Sequence, residues 1–468
     1  MVVRGFKAIA VALAVAVTVG LMSSGAGAIA QPSYDTIRID QDGGGQPYQV
    51  WIDWAPFMLP TPDGGAWVFF SAQVKLPSAE NPAEFTLGTR KLYAARFDPA
   101  AGVWLPARAM PGGEIQFGAA AVVDAQGTVH LVYTDRADAQ ETSFGTLVYV
   151  RSTPEGGWTE PRPVAPHENA GHQLSPELVL DGDGGLHVAW QDQRAVDDLR
   201  RLEAASNADV FVSDLLPDGN WSAPVQINRR PDEATNASRP QLAVDGDRLV
   251  AVWSVYDAET GLSTASRLEW STRPLEDLEG WAEPQVLFHR EDSQMGGRLL
   301  DLASDPNGGV VLVYGRRTEQ NTLYLQRLPA GESAWSDPVP LISGNRGAYP
   351  RLAVASDGTI YVAYNLGAGA TVHVGAIALA PGQTRASVEV TLTAGEEGAQ
   401  GIPAIAIDRL NKVWLVYMHE PMGGKANEIR ILRGAVIPSE PAPEAPVATP
   451  APEEEPVATP PTGETPAG

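Results

Sequence analysis

Pro176-Glu-Leu-Val-Leu-Asp-Gly-Asp-Gly-Gly-Leu-His-Val-Ala-Trp190 is the clearest copy of a pattern that occurs seven times along this chain. A second clear copy is Pro350-Arg-Leu-Ala-Val-Ala-Ser-Asp-Gly-Thr-Ile-Tyr-Val-Ala-Tyr364. The other copies end at Phe70, Tyr133, Trp253, Tyr314 and Tyr417, so successive end points are 63, 57, 63, 61, 50 and 53 residues apart. A repeat of this length predicts a propeller or a solenoid.

Each copy predicts a β-hairpin. In the first copy quoted, the apolar run 178–180 leads into a turn of Asp and Gly, and apolar residues then alternate along 186–190. Such alternation has the period of a strand. In most copies a further strand, a polar turn and Trp-x-x-Pro follow, with the tryptophans at Trp158, Trp221, Trp281 and Trp335.

These elements add up to four strands per copy. We therefore predict an all-β fold, a seven-bladed β-propeller of four-stranded antiparallel blades, because blades packed around an axis bury faces that one copy cannot bury alone. The segment Thr36-Ile-Arg-Ile39 resembles an outer strand and is expected to complete the last blade, next to Glu428–Leu432. A six-bladed, sialidase-like propeller with one aberrant repeat is the alternative.

The recurring Trp and Asp residues have structural explanations. Trp-x-x-Pro takes the same place in each copy, which indicates packing between blades. The aspartates of the turns, Asp181, Asp183, Asp245, Asp305 and Asp357, are expected to bond to their own backbone. The segment Asp181–Gly185 offers too few ligands for an EF-hand calcium loop, so we predict no metal and no cofactor.

Composition separates the two ends of the chain from the propeller. Residues 1–30 are predicted to be a signal peptide, with Arg4 and Lys7 before an apolar run and cleavage after Ala28 or Ala30. The propeller domain is predicted over 31–437. Residues 438–468 hold ten Pro, six Glu and no Lys or Arg, which predicts a disordered tail rich in Pro, Glu and Thr. With no Cys, disulfides are excluded.

The formal net charge of −24 limits the classes of partner. It argues against binding to nucleic acid, which requires basic surfaces. We expect a secreted or extracytoplasmic monomer, associated with the cell surface or free, that does not insert into the membrane once the signal peptide is removed. Its expected partner is a glycan, or a protein outside the cell or in the envelope.

Strand order predicts where a ligand would bind. In each blade the turns between first and second strands and between third and fourth strands share one face, which we call the turn face. The loops between second and third strands, and between blades, lie on the opposite loop face, where binding residues tend to collect. The loops 74–91 and 193–209 are the longest there. The loop-face candidates are Asp135, Arg136, His172, Asp192, Arg194, Arg239, Asp257, Arg298, Arg316, Arg317, His419 and Glu420.

The repeat plan resembles the sialidase-like propellers with BNR, or Asp-box, repeats. Ser152-Thr-Pro-Glu-Gly-Gly-Trp158 and Pro217-Asp-Gly-Asn-Trp221 keep parts of the family's Ser-x-Asp-x-Gly-x-x-Trp box. The resemblance implies a propeller that acts on sugars through an arginine triad, a Tyr–Glu pair and an acid/base Asp. This chain has no Arg-Ile-Pro for that triad, since Gly401-Ile-Pro403 lacks the arginine, so the catalytic residues are not carried over.

Two functions follow from these observations. The first is a binding module without enzymatic activity, which presents the loop face at the central channel to a glycan or a protein. The second is a glycoside hydrolase or lyase with a non-standard pair of carboxylates, chosen from Asp135, Asp192, Asp257 and Glu420. We favour binding, and no catalytic residue is assigned.

Overall fold

The computed structural model divides the chain into two compact units, residues 1–33 and 34–468. The structure describes residues 34–38, 48–50, 56–77, 85–137, 144–165, 171–193, 208–229, 235–256, 264–289, 295–296, 300–316, 322–342, 348–367, 372–383, 386, 389–422 and 427–439, all in the second unit. The predicted signal peptide and residues 440–468 of the predicted tail lie outside them. In this described part, no helix is long and apolar enough to cross a membrane.

Seven antiparallel sheets confirm the predicted seven-bladed propeller and exclude the six-bladed alternative. Blade 1 has the strands Phe57–Pro60, Ala66–Pro77 and Phe85–Asp98, with the short strands Val103–Trp104 and Arg108–Ala109 both pairing the third. Blade 2 has Ile115–Val123, Val129–Arg136, Thr146–Arg151 and Arg162–Pro163. Blade 3 has Gln173–Leu180, Leu186–Asp192, Asp209–Asp214 and Val225–Gln226. Blade 4 has Asn236–Asp245, Arg248–Tyr256, Arg267–Pro274 and Gln285–His289.

The remaining blades repeat this plan. Blade 5 has Leu300–Ser304, Val310–Arg316, Thr322–Leu328 and Val339–Ile342. Blade 6 has Ala348–Val354, Ile360–Leu366, His373–Leu379 and Val390–Thr391. Blade 7 has Ala399–Ile407, Val413–Glu420, Glu428–Ala435 and Tyr34–Thr36. Outside the blades, Tyr48–Val50 pairs the second strand of blade 1, and Thr264–Ala265 pairs Met295–Gly296. The first strands of neighbouring blades contact one another around the whole ring, so they line its axis.

The N-terminal strand closes the ring, as predicted, but it lies two residues earlier than expected. Tyr34 pairs with Leu432 and Thr36 with Arg430 on the third strand of blade 7. The pairing continues past the strand, since the backbone N–H of Ile37 donates to the carbonyl of Ile429 at 3.0 Å. Because one sheet contains both ends of the propeller, the third strand of blade 7 is not left as an open edge.

Apolar clusters fill the space between neighbouring blades, and the Trp-x-x-Pro tryptophans contribute to them. Trp158 of blade 2 packs edge-on against Trp67 of blade 1, with ring centroids 5.2 Å apart. Trp335 of blade 5 meets Trp270 of blade 4 in the same way at 5.8 Å. These aromatic contacts hold adjacent blades together, in agreement with the packing role predicted for this motif.

Asp181, Asp305 and Asp357 accept backbone N–H groups within their own turns, as predicted. Asp245 does not, because its carboxylate accepts the N–H groups of Gly309 and Gly331 in blade 5. Asp181 accepts hydrogen bonds from the backbone N–H groups of Asp183, at 2.9 Å, and Gly185, at 2.6 Å. Its other oxygen lies 3.0 Å from Nε2 of His187, six residues later. Asp124 with His130 and Asp408 with Trp414 repeat this six-residue spacing at 3.2 and 3.1 Å. The repeat therefore uses these carboxylates to fix its turns.

The first, innermost strands of five blades share a β-bulge that the repeat pattern does not predict. Their pairing with the second strand slips at one point, beside a residue with a φ between 50° and 54°: Gly118, Ser175, Arg239, Tyr349 and Ile402. In four of the five the next residue is proline. A bulge bends its strand and re-aims the side chains beside it, here along the central channel.

Blade 1 differs from the prediction on the loop face. The segment 74–91 was expected to be a loop, but Ala66–Pro77 and Phe85–Asp98 continue through most of it as a paired hairpin. We call this extended hairpin the arm of blade 1. Leu76 and Leu87 lie on it with 42% and 41% of their surface exposed. Strand pairing therefore carries apolar side chains out onto the loop face. Of the other predicted long loop, residues 194–207 lie outside the described part.

Candidate functional site

Asp135 and Arg136 end the second strand of blade 2 and are turned into the protein. The two oxygens of Asp135 accept the backbone N–H of Gly113 at 2.9 and 3.0 Å, and one lies 3.3 Å from the amide nitrogen of Gln116. Burial raises the pKa of Asp135, although these hydrogen bonds oppose the rise. Arg136 is fully buried. Asp135 thus anchors the connection between blades 1 and 2.

His172 and Asp192 are likewise buried at the loop-face end of blade 3. Nδ1 of His172 accepts the backbone N–H of Gly145 at 2.9 Å, which links blade 3 to blade 2. The indole N–H of Trp190 donates to Asp192 at 3.0 Å. The carboxylate and imidazole groups at these strand ends therefore accept hydrogen bonds from N–H groups of the protein itself.

Blade 7 contains a Tyr–Glu pair, the combination used by the sialidase-like family. The Tyr417 hydroxyl donates to Glu396 at 2.7 Å, and Arg430 donates to the other oxygen of Glu396 at 2.7 Å. Burial and the adjacent Glu396 carboxylate raise the pKa of Tyr417 far above its ordinary value. An activated nucleophile needs the opposite shift. The pair therefore has the character of a buried structural contact.

His419 and Glu420 end the second strand of blade 7. Nδ1 of His419 lies 3.9 Å from Glu396 and 3.4 Å from the Gln400 amide nitrogen, and burial lowers the pKa of His419. Glu420 follows it with an exposed side chain. Arg239 takes the positive-φ position of the bulge in blade 4. Arg316 ends the second strand of blade 5, and the candidates outside the described residues are Arg194, Asp257, Arg298 and Arg317.

A second polar group lines the channel itself. On each innermost strand, one residue pairs with the second-strand residue directly before the terminal aromatic of the repeat. From blade 1 to blade 7 these equivalent residues are Phe57, Ala120, Glu177, Gln241, Asp301, Arg351 and Ala404. Four consecutive blades therefore place polar side chains at one level of the channel, and we call Glu177, Gln241, Asp301 and Arg351 the channel half-ring.

The members of the channel half-ring interact with each other across blades. The Gln241 amide nitrogen lies 3.5 Å from a carboxylate oxygen of Glu177. Arg351 lies 3.4 Å from Asp301, whose other oxygen accepts the backbone N–H of Leu352 at 2.7 Å. Glu177 lies four residues from the loop-face end of its strand, about 13 Å along an extended chain. The half-ring therefore lies inside the channel, below the mouth formed by the loops.

Both carboxylates of the half-ring are shifted towards their protonated forms. Burial and the negative charge of Asp301 raise the pKa of Glu177 to about 8, against the opposing effect of Arg351. Burial also raises the pKa of Asp301, although Arg351 and the Leu352 N–H oppose it. All four residues remain partly exposed, although Oε1 of Gln241 is buried, so a molecule in the channel can reach part of each residue. The half-ring can accept and donate hydrogen bonds and can hold a proton.

Sequence reasoning missed the half-ring although a signal was present. Glu177 and Arg351 each follow the proline that opens a clear copy of the repeat, and Gln241 follows the proline of blade 4. Aligning the copies would have shown polar side chains where other blades carry Ala or Phe. In the described part of the chain, no group of three or more His, Cys, Asp or Glu is placed to hold a metal ion.

The comparisons with known proteins give fold similarity only. No protein-family model matches the chain, and no curated protein does. A solved protein of unknown function from Dyadobacter fermentans DSM 18053 is 13% identical, covers 86% of this chain and 98% of its own, and has a TM-score of 0.50. An ulvan lyase of polysaccharide lyase family PL25, bound to a GlcA(1-4)Rha3S unit, is 12% identical, covers 83% and 94%, and also reaches 0.50.

A Hadza microbial sialidase is also similar, at 14% identity and a TM-score of 0.42, covering 83% of this chain and 66% of its own. The two structures with a TM-score of 0.50 support a divergent propeller fold, and the ulvan lyase among them acts on a polysaccharide. The assignment of BNR repeats to this chain stays a prediction from its eroded Asp boxes.

Proposed function

We propose that this protein is a secreted propeller that binds a glycan at the loop-face mouth of its central channel, with the channel half-ring as its polar floor. The observation that carries the proposal is the uneven ring of seven equivalent positions. Blades 3 to 6 place Glu177, Gln241, Asp301 and Arg351 there, whereas blades 7, 1 and 2 carry Ala404, Phe57 and Ala120. A concave site with a few convergent polar groups among apolar ones is the usual form of a small-molecule site.

Glycans suit these groups chemically. Sugar hydroxyls both donate and accept, so carboxylates, an amide and a guanidinium side by side can bond to several of them at once. The exposed Leu76 and Leu87 on the arm of blade 1 and the exposed loop-face candidate Glu420 would contact the parts of a longer ligand outside the channel. The ulvan lyase shows that this fold can hold a saccharide.

The roles proposed for the two ends of the chain rest on the sequence. Residues 1–30 would direct export, and the acidic tail from residue 438 would act as a solvated spacer. The protein would act as a monomer, outside the cytoplasm. An envelope protein is the alternative occupant of the loop face.

Thermal-shift screening of the purified protein against neutral, acidic and amino-sugar oligosaccharides tests the proposal. A ligand that binds the folded state raises the melting temperature by mass action. We expect at least one class to do so, and Arg351→Ala to abolish the shift. Arg409→Ala is the matched control, because Arg409 is exposed on the turn face of blade 7. If no oligosaccharide raises the melting temperature, glycan binding is overturned and a protein partner is favoured.

One observation favours catalysis as a second candidate. At neutral pH a carboxyl group whose pKa is about 8 is mostly protonated, which is the form a general acid requires, and Glu177 meets this condition with Asp301 nearby. A hydrolase or lyase acting through this pair would release sugar products from a bound glycan. Glu177→Gln would then stop product release while leaving binding. Binding with no product from the unaltered protein would rule the candidate out.

A further inference from the structure

Several hydrogen-bond acceptors of the channel half-ring have weak partners, or none, among the described residues. Within the described part of the chain, Glu177 receives a contact from the Gln241 amide at 3.5 Å, the outer limit of a hydrogen bond. Oε1 of Gln241 is buried and has no hydrogen-bond partner among the described residues. One oxygen of Asp301 has a good partner, the N–H of Leu352 at 2.7 Å, and the other has Arg351 at 3.4 Å. A group with hydrogen-bond donors would therefore satisfy these acceptors.

The charges lead to the same requirement. Two carboxyl groups, Glu177 and Asp301, share the positive charge of Arg351, whose side chain is 38% exposed and 3.4 Å from Asp301. Burial raises the pKa of both carboxyl groups, and the single positive charge of Arg351 does not fully offset this rise. The formal charge of −24 on the whole chain would also draw cations towards the protein.

We infer that the channel half-ring binds a primary ammonium group, carried by an amino sugar whose nitrogen is not acetylated. An ammonium group has three N–H donors and a positive charge. These donors would form hydrogen bonds with the open acceptors of Glu177, Gln241 and Asp301. The remaining sugar hydroxyls would face Arg351. This inference rests on the proposed glycan binding and names the class of sugar.

Proton release follows from the same contacts. Among the residues that the structure describes, the polar and charged groups that face Glu177 are Gln241, Asp301 and Arg351. A bound cation favours the ionised carboxylate, so binding should displace the proton that Glu177 holds in the free protein. Calorimetry at pH 7 in two buffers of different ionisation enthalpy measures this release directly.

The test compares two oligosaccharides of equal length on the full protein, one of glucosamine and one of N-acetylglucosamine. We expect glucosamine to bind at least tenfold more tightly. Glu177→Gln and Asp301→Asn should each remove this preference, whereas Glu155→Gln, at an exposed turn-face carboxylate, should keep it. Melting curves without ligand confirm that each variant is folded.

The outcomes separate the inference from the proposed function. Equal binding of both oligosaccharides would overturn the ammonium site while leaving glycan binding intact. Binding of neither, with no response to other glycans, would overturn both. A preference that survives in Glu177→Gln would mean that overall charge attracts the ligand. A lysine peptide of equal charge that binds as tightly would overturn the assignment to a sugar.

Discussion

At the scale of single residues, position in the repeat separates structural from accessible polar groups. Asp135, His172 and Asp192 end or precede strands on the loop face, where the sequence predicted ligand contacts, yet each bonds to a backbone or indole N–H of the fold. Glu177 lies deeper, and among the described residues the hydrogen-bond contact of its carboxylate is a long one with the Gln241 amide, at 3.5 Å. A polar side chain is free to bind a ligand where the fold leaves its bonding capacity open.

Glu177 should make stability depend on pH. Its pKa rises from 4.5 to about 8 in the folded protein, so the folded state holds a proton that the unfolded chain releases between these values. The contribution is fully present below about pH 4.5 and is lost as pH rises to about 8. We expect Glu177→Gln to gain stability over the unaltered protein across this interval, measured by melting temperature at pH 4 to 9. A difference that does not vary with pH would contradict this.

Asp245 should be a strong contributor to stability because it joins two blades. Its carboxylate accepts the N–H groups of Gly309, at 2.8 Å, and Gly331, at 3.1 Å, in blade 5, and Nε of Arg248 at 2.8 Å in its own blade. Asp245→Ala would leave these donors unpaired and should cost about 3 kcal/mol in urea unfolding. Asp247→Ala, exposed in the same turn, should stay within about 0.5 kcal/mol. Equal effects would refute the blade-joining role.

At the scale of elements, the bulge in the innermost strand sets which residues enter the channel. In blade 3 the bulge at Ser175 lies between Leu174 and Glu177, and in blade 6 the bulge at Tyr349 precedes Arg351. In both, the half-ring residue is where regular pairing with the second strand resumes. The alternation of apolar residues predicted the strands, but it contains no sign of a positive φ.

Ser175 provides a test of this backbone conformation. With φ at 50°, Ser175→Gly removes the steric cost of a side chain and should leave stability unchanged or slightly higher. Ser175→Val places a β-branched residue in the left-handed region and should cost about 1–2 kcal/mol. Chemical denaturation of the two variants measures the difference. If valine were tolerated as well as glycine, the bulge would not have the geometry described.

At the scale of the whole molecule, ring closure is what gives the channel its shape. The strand Tyr34–Thr36 joins residues nearly 400 positions apart in one sheet. Trp104 of blade 1 adds to the closure, because its indole N–H donates to Asp35 at 3.2 Å. The half-ring spans four blades, so its geometry depends on the ring staying closed.

Deletion of residues 34–38 should therefore lower the melting temperature and promote aggregation, because it exposes the edge of Glu428–Ala435. Glycan binding at the channel should be lost as well. Deletion of 440–468, the predicted tail, is the control and should leave both unchanged. Loss of stability on removing the tail would show that it packs on the propeller, against the prediction of disorder.

The sequence alone determined the number of blades, the order of their strands, the closing strand and the packing role of the Trp-x-x-Pro residues. These features arise from local periodicity repeated seven times, and each copy carries the information for its own hairpin. Only the tertiary structure showed that Glu177, Gln241, Asp301 and Arg351 meet, because they come from four blades and face each other only when the ring closes. It also showed that His172 and Asp192 are buried, that Asp135 is partly buried, and that all three accept hydrogen bonds from donors within the protein. Contacts between residues that are distant along the chain leave no periodic pattern in the sequence, so only the packed structure identifies them.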